Sequence, residues 1–456
     1  MRRVVKVSRI RIIITIIVVV LTTLLTGCTG KEPNEIAYVV AFGIDSTDDD
    51  NYKITIQYAN TTQISGGASE SGGKAGSEIV DNVTIEAPNI YAGVGLANNI
   101  VSKSFSMSHA KLIVFSKEIA EKGVKDMIET LVRSEEIRPD VFIAVANTTA
   151  NDYLTSVNPE MEVNPAQYYQ LIYQKNQLVG IPDGQLREFF TGLYTDNYDS
   201  ILPVAGVIEG SGSNRQNDDK GQSKDGQNEG SEGSSESLDS FESKSSDDKD
   251  ENEKEKDAEK NTSKYEYDIK NYVGGETAIE KKNKAEAIGA AVFEKDKMVG
   301  ELGEVETEIC KILKGDYTYS YLTYYNNDTP DIPITVKTTQ QKKPKYKIDT
   351  DKKTVDIELY IESDLYSLPA DYNVENKIED FERDVANYTS SACTEFINNF
   401  TKKYNSDILK LNEKVKYKFL TNNQYNWFKK NVGWSEYKFS VCTNFKVRRT
   451  GLIVRE

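Results

Sequence analysis

Histidine is nearly missing from this chain: of 456 residues only His109 is one. HExxH zinc enzymes need two and are excluded, and any Ser-His-Asp arrangement would depend on this single residue. His109 stands just before an apolar strand, the usual setting of a structural histidine. Cysteine is almost as scarce, with Cys28, Cys310, Cys393 and Cys442 widely spaced and no CxxC pair. Neither a zinc knuckle nor a redox dithiol is indicated. Cys393 falls in a helical pattern and Cys442 in a strand pattern, and each is expected as a small buried apolar residue. Pairing among the last three cysteines is not deducible from sequence. Positive charge is also short, 56 basic against 72 acidic residues and a formal net of −16. Such a chain gains nothing from phosphate attraction, which argues against nucleic acid as a partner.

A long hydrophobic run is lacking too. The N-terminal apolar run, Ile12 to Leu25, has 14 residues, fewer than the roughly 20 needed to cross a hydrocarbon core as a helix. Five basic residues and no acid precede it, and Leu25-Thr26-Gly27-Cys28 follows. A basic start, a short apolar stretch and small residues before a cut describe an export signal. The Leu-Thr-Gly-Cys sequence resembles the bacterial lipobox, which implies diacylglycerol on Cys28 and cleavage before it. Two acyl chains anchor stably where one gives only marginal binding. Loss of residues 1–27 would leave 51 basic against 72 acidic residues, a formal −21. An anionic bilayer would repel that charge, making the covalent anchor more necessary.

The mature length calls for two or three cores. Ile36–Ile44 is nearly continuously apolar, and Tyr52, Ile54, Ile56 and Tyr58 alternate with polar residues, so both read as strands. Ser65–Ser77, with five glycines and four serines, reads as a flexible loop. Helices are expected over Asn89–Val101, Lys117–Arg133 with a break at Gly123, 164–178 and 185–195. Strands are expected at Leu112–Phe115, Val141–Ala146 and 201–208. Between Ser211 and Thr262 only Leu238, Phe241 and Ala258 are apolar, among 16 acidic and 8 basic residues. That stretch buries too little to offset its ordering entropy and is expected to be a disordered, solvated spacer. Beyond it come strands at Ala287–Phe293 and Val299–Leu302, a helix at Val305–Leu313 and a strand around Thr354–Ile361. A long helix from about Lys377 to Tyr404 carries Ile378, Phe381, Val385, Tyr388, Ala392, Phe396 and Phe400 along one stripe. Asn376 and Glu379 suit a capping box at its start. The stripe is expected to pack on a terminal strand bearing Tyr437, Phe439, Val441, Phe445 and Val447 on one face.

Candidate motifs for chemistry fail on inspection. Gly93-Val-Gly95-Leu-Ala-Asn98 lacks the third glycine of a dinucleotide loop. In Gly67–Ala75, Lys74 is one place late for a phosphate loop and Ala75 offers no hydroxyl. Asp45–Asn51 lacks the sixth-place glycine of a calcium loop and has Ile56 where its glutamate belongs, so it reads as a hairpin turn. No catalytic constellation, cofactor site or metal site is indicated.

Four stretches nevertheless have a family character. Ser108-His109-Ala-Lys-Leu-Ile-Val-Phe-Ser-Lys-Glu-Ile-Ala-Glu-Lys-Gly123 continues to Arg133-Ser-Glu-Glu-Ile-Arg138-Pro139-Asp140. With Ala41-Phe-Gly-Ile-Asp45, Ala287–Gly300 and the closing Phe439–Leu452, it resembles the Ger(x)C lipoproteins, the C-subunits of spore germinant receptors. The resemblance spans nearly the whole mature chain except 209–264. The acidic insert and the Gly/Ser loop depart from the family pattern. It implies a non-enzymatic, lipid-anchored subunit on the outer face of the spore inner membrane. Two integral-membrane partners, the A- and B-type subunits, would accompany it, and the complex would sense nutrient germinants. Cys28 alone carries over as a site residue. The implied fold class is α+β, multi-domain, with mixed sheets and helices in about three small domains. The expected organisation is a signal peptide at 1–27, an N-terminal α+β domain at 28–208 and an acidic linker at 209–272. A middle domain at 273–335 and a C-terminal α+β domain at 336–456 follow. A solute-binding lipoprotein of a transporter is the alternative, and it would show a ligand cleft between two lobes.

Overall fold

A computed structural model describes residues 13–17, 35–49, 51–59, 80–158, 165–174, 180–195, 197–208, 271–277, 283–325, 333–367, 377–404 and 406–450. Cys28, the Gly/Ser loop, the acidic insert and the Asn376 half of the expected capping box lie outside the described residues. The described residues up to 208 and from 271 onward form one compact unit.

The run that reads as continuously apolar becomes Ile36–Ser46 (β1), buried along most of its length, as a central strand between two covered faces must be. Tyr52–Ala59 (β2) and Val80–Ala87 (β3) extend the sheet antiparallel on one side. Ile90–Ala97 (α1) and the short Ser104–Ser106 (β4) lead to Leu112–Ser116 (β5), which pairs parallel with β1. Lys117–Lys122 (α2) and Lys125–Val132 (α3) are split at Gly123, whose φ of 124° is a glycine conformation. Phe142–Ala146 (β6) follows, then Ala150–Ser156 (α4), Pro165–Gln174 (α5), Leu186–Thr195 (α6) and Ile201–Val207 (β7). β5, β6 and β7 are parallel neighbours.

The chain returns after the insert directly onto this sheet. Ala285–Glu294 (β8) pairs antiparallel with β7, and Lys297–Leu302 (β9) with β8. The result is nine strands, β3-β2-β1-β5-β6-β7-β8-β9 with β4 on β1. After Glu304–Lys314 (α7), Tyr319–Tyr325 (β10) and Pro333–Gln340 (β11) join a second sheet with Lys345–Asp349 (β12) and Thr354–Ser367 (β13). Ile378–Tyr404 (α8), Leu411–Val415 (α9) and Asn422–Asn431 (α10) precede Lys438–Arg449 (β14), which runs parallel to β13. The strands of 273–335, expected as one segment, are thus divided: β8 and β9 complete the first sheet, β10 and β11 belong to the second. The physical reason is β7, whose burial on both faces leaves an edge that only another apolar strand can cover.

Helices pack on both faces of the first sheet. α1, α2, α3 and α6 cover one side around Phe42, Ile113, Phe189 and Phe293. α4 and α5 cover the other with Tyr153, Tyr169 and Tyr173. There two polar members of the β2 alternation, Thr55 and Gln57, are buried, while Lys53 is exposed. Gln57 donates to the Leu154 carbonyl (2.9 Å) and accepts from the Tyr169 hydroxyl (2.6 Å), and Thr55 accepts from the Asn151 amide (2.9 Å). The second sheet packs on α7 and α8 around Phe381, Val385, Phe396 and Phe439, as the α8 stripe leads one to expect. α8 also protects the open edge of β14. The N–H groups of Phe439, Val441, Thr443 and Val447 donate to Asn398 (3.1 Å), Thr394 (3.0 Å), Ser390 (2.9 Å) and Glu382 (2.8 Å). An edge strand satisfied by helix side chains offers no ladder to another chain.

Candidate functional site

Where the α6–β7 and β8–β9 connections of the first sheet meet α9 and α10, a cleft of about 600 Å³ opens. Gly192, Tyr198, Asp199, Lys295, Asp407 and Lys430 are among its lining residues. Its floor is Asp407, 3% exposed. The Asp407 carboxylate accepts from the N–H groups of Leu411 (2.7 Å) and Asn412 (2.8 Å), holding the start of α9. Burial pushes this carboxyl up to about 7, against the pull of those two N–H groups. Its backbone is tied to the first sheet. Asp407 N–H donates to the Asp199 carboxylate (2.9 Å), and Asp199 N–H to the Asp407 carbonyl (3.2 Å). Asp199 also accepts from Lys295 N–H (3.3 Å).

The wall follows the same logic. Trp434 donates its indole N–H to the Asn412 side chain (3.3 Å), and the Tyr425 hydroxyl donates to the Asn412 carbonyl (3.1 Å). Lys429 reaches across to the Thr195 carbonyl (3.0 Å) and the Asn197 side chain (3.1 Å). Lys410 pairs with Glu188 (3.2 Å) and lies 4.2 Å over the Tyr198 ring. The cleft is therefore a hydrogen-bonded joint between the two sheets, with charges of both signs. Among the described residues no group of histidine, cysteine or carboxylate side chains could hold a metal ion. The arrangement can lock two halves together or receive a small polar group.

The residues singled out from sequence do not gather here. His109 is exposed, accepting or donating at Ser108 (3.0 Å) and edge-on to Tyr38 (4.9 Å). Asp45 is not in the turn but a buried residue of β1 opposite Lys53, and it accepts from Ala150 N–H (2.6 Å) and Asn151 N–H (3.0 Å) at the start of α4. Cys310 and Cys393 are buried free thiols, pushed up to about 11 and about 12 by burial. Cys442 is free but exposed, against expectation. It occupies an outward position of β14, whose apolar residues are the odd-numbered ones. The cleft residues themselves escape a reading based on motifs. A usable signal existed at Thr421 and Gln424, since Thr421 caps α10 by accepting from Gln424 N–H (3.3 Å).

The described residues thus form a mixed α+β fold whose two sheets are joined at a polar seam. Two family models match the chain in order. The spore germination protein N-terminal domain covers residues 30–207, and the spore germination B3/GerAC like C-terminal domain covers 288–451. The chain belongs to this GerAC-like, or Ger(x)C, family. Spore germination protein KC of Bacillus subtilis (strain 168) is 26% identical over 174 residues, 35% of this chain and 42% of that one. The putative spore germination protein YfkR of the same organism is 28% identical over 145 residues, 32% of this chain and 37% of that one. GerQC of Bacillus cereus is 27% identical over 104 residues, 23% and 29% of the two chains. These matches span less than half of the relatives' lengths. The crystal structure of the GerBC protein superposes at a TM-score of 0.47 with 14% identity, covering 89% of this chain and 96% of that one.

Proposed function

We propose that this chain is a lipid-tethered subunit of a nutrient germinant receptor, required for spore germination and acting by protein–protein contact rather than catalysis. The observation that carries the reading is the pair of germination-family matches, in order, behind Leu25-Thr26-Gly27-Cys28. Diacylglycerol on Cys28 would hold the chain on the outer face of the spore inner membrane. Confinement to that plane raises its effective concentration beside the A- and B-type membrane subunits, so weak docking suffices. Residues 209–272 serve as an acidic spacer joining β7 to β8; 28–208, 273–335 and 336–456 are stretches of sequence rather than separate folded bodies, since β8 and β9 complete the first sheet.

A second reading, a solute-binding lipoprotein, is favoured by one feature: the seam cleft of about 600 Å³ lies within the roughly 300–1,000 Å³ range of ligand pockets. One experiment separates the two. Spores lacking this chain should lose the response to nutrients while still germinating with a stimulus that bypasses receptors. The wild-type gene should restore the response, and a Cys28→Ser gene should restore it poorly. A full nutrient response in spores that also lack the related receptors would overturn the receptor reading and favour solute binding.

A further inference from the structure

The chain carries 16 more acidic than basic residues, yet from Lys414 to Lys430 it has five lysines and no acid. This stretch is α9's end, the turn at 416–420 and helix α10. Phe419 staples the turn to the helix, its ring 4.9 Å from Phe428 and 5.9 Å from Tyr425. Phe428 in turn packs on buried Trp434 at 6.1 Å. The residues beside the staple point the other way: Leu420 is 95% exposed, Tyr417 81% and Trp427 69%. Three large apolar side chains this exposed on adjoining segments have no packing role within the described fold.

Part of the charge around them is also unspent. Lys416, Lys418 and Lys430 are exposed, although Lys418 donates to the Ile348 carbonyl near Asp349 and Lys416 lies 5.9 Å from the Tyr425 ring. Among the described residues the one ion pair of 410–430 is Lys410 with Glu188, at the seam. Lys414 and Lys429 are held at the carbonyl oxygens of Leu409 (2.8 Å) and Thr195 (3.0 Å), Lys414 beside the Asp407 and Glu413 carboxylates, so the charge free to meet a partner is that of the exposed lysines. Trp, Tyr and Leu set among lysines is the composition of a surface that enters the headgroup region of a bilayer. An anionic bilayer repels the net charge of the chain, but charges more than about 8 Å away are largely screened at physiological ionic strength, so the acids that bear on this face are nearby ones such as Glu413 and Asp349.

We propose that the 414–430 surface docks on a bilayer carrying anionic headgroups, with Trp427, Tyr417 and Leu420 entering the interface and the lysines meeting lipid charge. This second attachment would fix the orientation of a chain that a lipid on Cys28 would otherwise leave free to swing. It does not depend on the germination role.

The sequence supplies its own reporter, having two tryptophans, of which Trp427 is exposed and Trp434 buried. The full chain would be reconstituted in phosphatidylcholine vesicles with dibrominated acyl chains, with and without phosphatidylglycerol. Vesicle flotation reads the tether, and quenching of tryptophan emission by the bromine atoms reads the patch. The expected result is strong quenching in phosphatidylglycerol vesicles that disappears in Trp427→Phe, whose remaining Trp434 emission also reports the fold. In phosphatidylcholine alone docking should weaken by about fivefold for each lysine that meets lipid charge. Emission unquenched in floated anionic vesicles would overturn the proposal and assign the face to a protein partner. Equal quenching in both lipids would overturn its electrostatic basis.

Discussion

Asp407 shows how one residue can couple the seam to pH. Its carboxyl is raised to about 7 by burial, whereas an unfolded aspartate titrates near 3.9. The folded state therefore binds the proton more tightly than the unfolded chain. The stabilisation from this group is present in full below a pH of about 4 and is lost as pH rises through about 7. In Asp407→Asn one amide oxygen must serve two N–H donors, those of Leu411 and Asn412, at a cost of about 1–3 kcal/mol. Denaturation midpoints at pH 5 and pH 8 should show the variant weaker at pH 5 and the gap narrower at pH 8. The comparison isolates Asp407, because Glu308, which burial also raises to about 7, titrates in both chains. A gap that widened with pH would mean that the carboxylate is the stabilising form. Such a residue is hard to see in a sequence with 72 acids, since only burial distinguishes it. Cys442 was more legible than its reading. The odd-numbered apolar positions of the closing strand already placed it on the outer face, as strand periodicity requires.

At the scale of elements, periodicity found what has one strong face and missed what depends on neighbours. The α8 stripe was visible because Phe381, Val385, Phe396 and Phe400 repeat at helical spacing and are buried. The second row of α8, Glu382, Ser390, Thr394 and Asn398, reads as solvated surface until β14 is set beside it. Between its buried ends β3 alternates half-buried and exposed positions at a sheet edge, and β10 to β12 mix tyrosine and threonine with lysine, so their strand formers were masked by polar neighbours. The return of the chain at 273–275 was equally invisible. It lies against β7, where the Asn147 amide donates to the Gly274 carbonyl (2.6 Å). A Cβ on Gly206 would come within 2.0 Å of Gly275 N and 2.1 Å of Gly274 C. Gly206→Ala must therefore displace backbone, and overpacking of this kind costs about 1–3 kcal/mol. The same substitution at exposed Gly95 in α1, where a Cβ meets nothing within 4 Å, should be neutral or stabilising by up to about 1 kcal/mol. Paired chemical denaturation of the two variants tests this; equal effects would mean that the return segment does not pack on β7.

For the whole molecule, the telling relation is that the acidic insert joins two strands that are already neighbours. β7 and β8 pair antiparallel, with Val207 opposite Ala285, and Ile208 N–H donates to the Lys284 carbonyl (2.8 Å). The first sheet is thus assembled from residues on both sides of the insert, which is why reading the chain in consecutive blocks gave the fold class but not the strand partners. A connection between adjacent strands can be long at little expense, because loop-closure entropy grows by only about 0.6 kcal/mol per doubling of length. Residues 211–262 hold three apolar residues and a formal charge of −8, so their removal takes away little burial and halves the net charge from −16 to −8. Replacing them with a short Gly/Ser linker should keep the β7–β8 register and leave stability unchanged or raised by about 1 kcal/mol, from the shorter loop and weaker self-repulsion. Thermal melts of the two chains decide it. A lower melting temperature without the insert would mean that 211–262 packs on the fold, and the spacer reading would then be wrong.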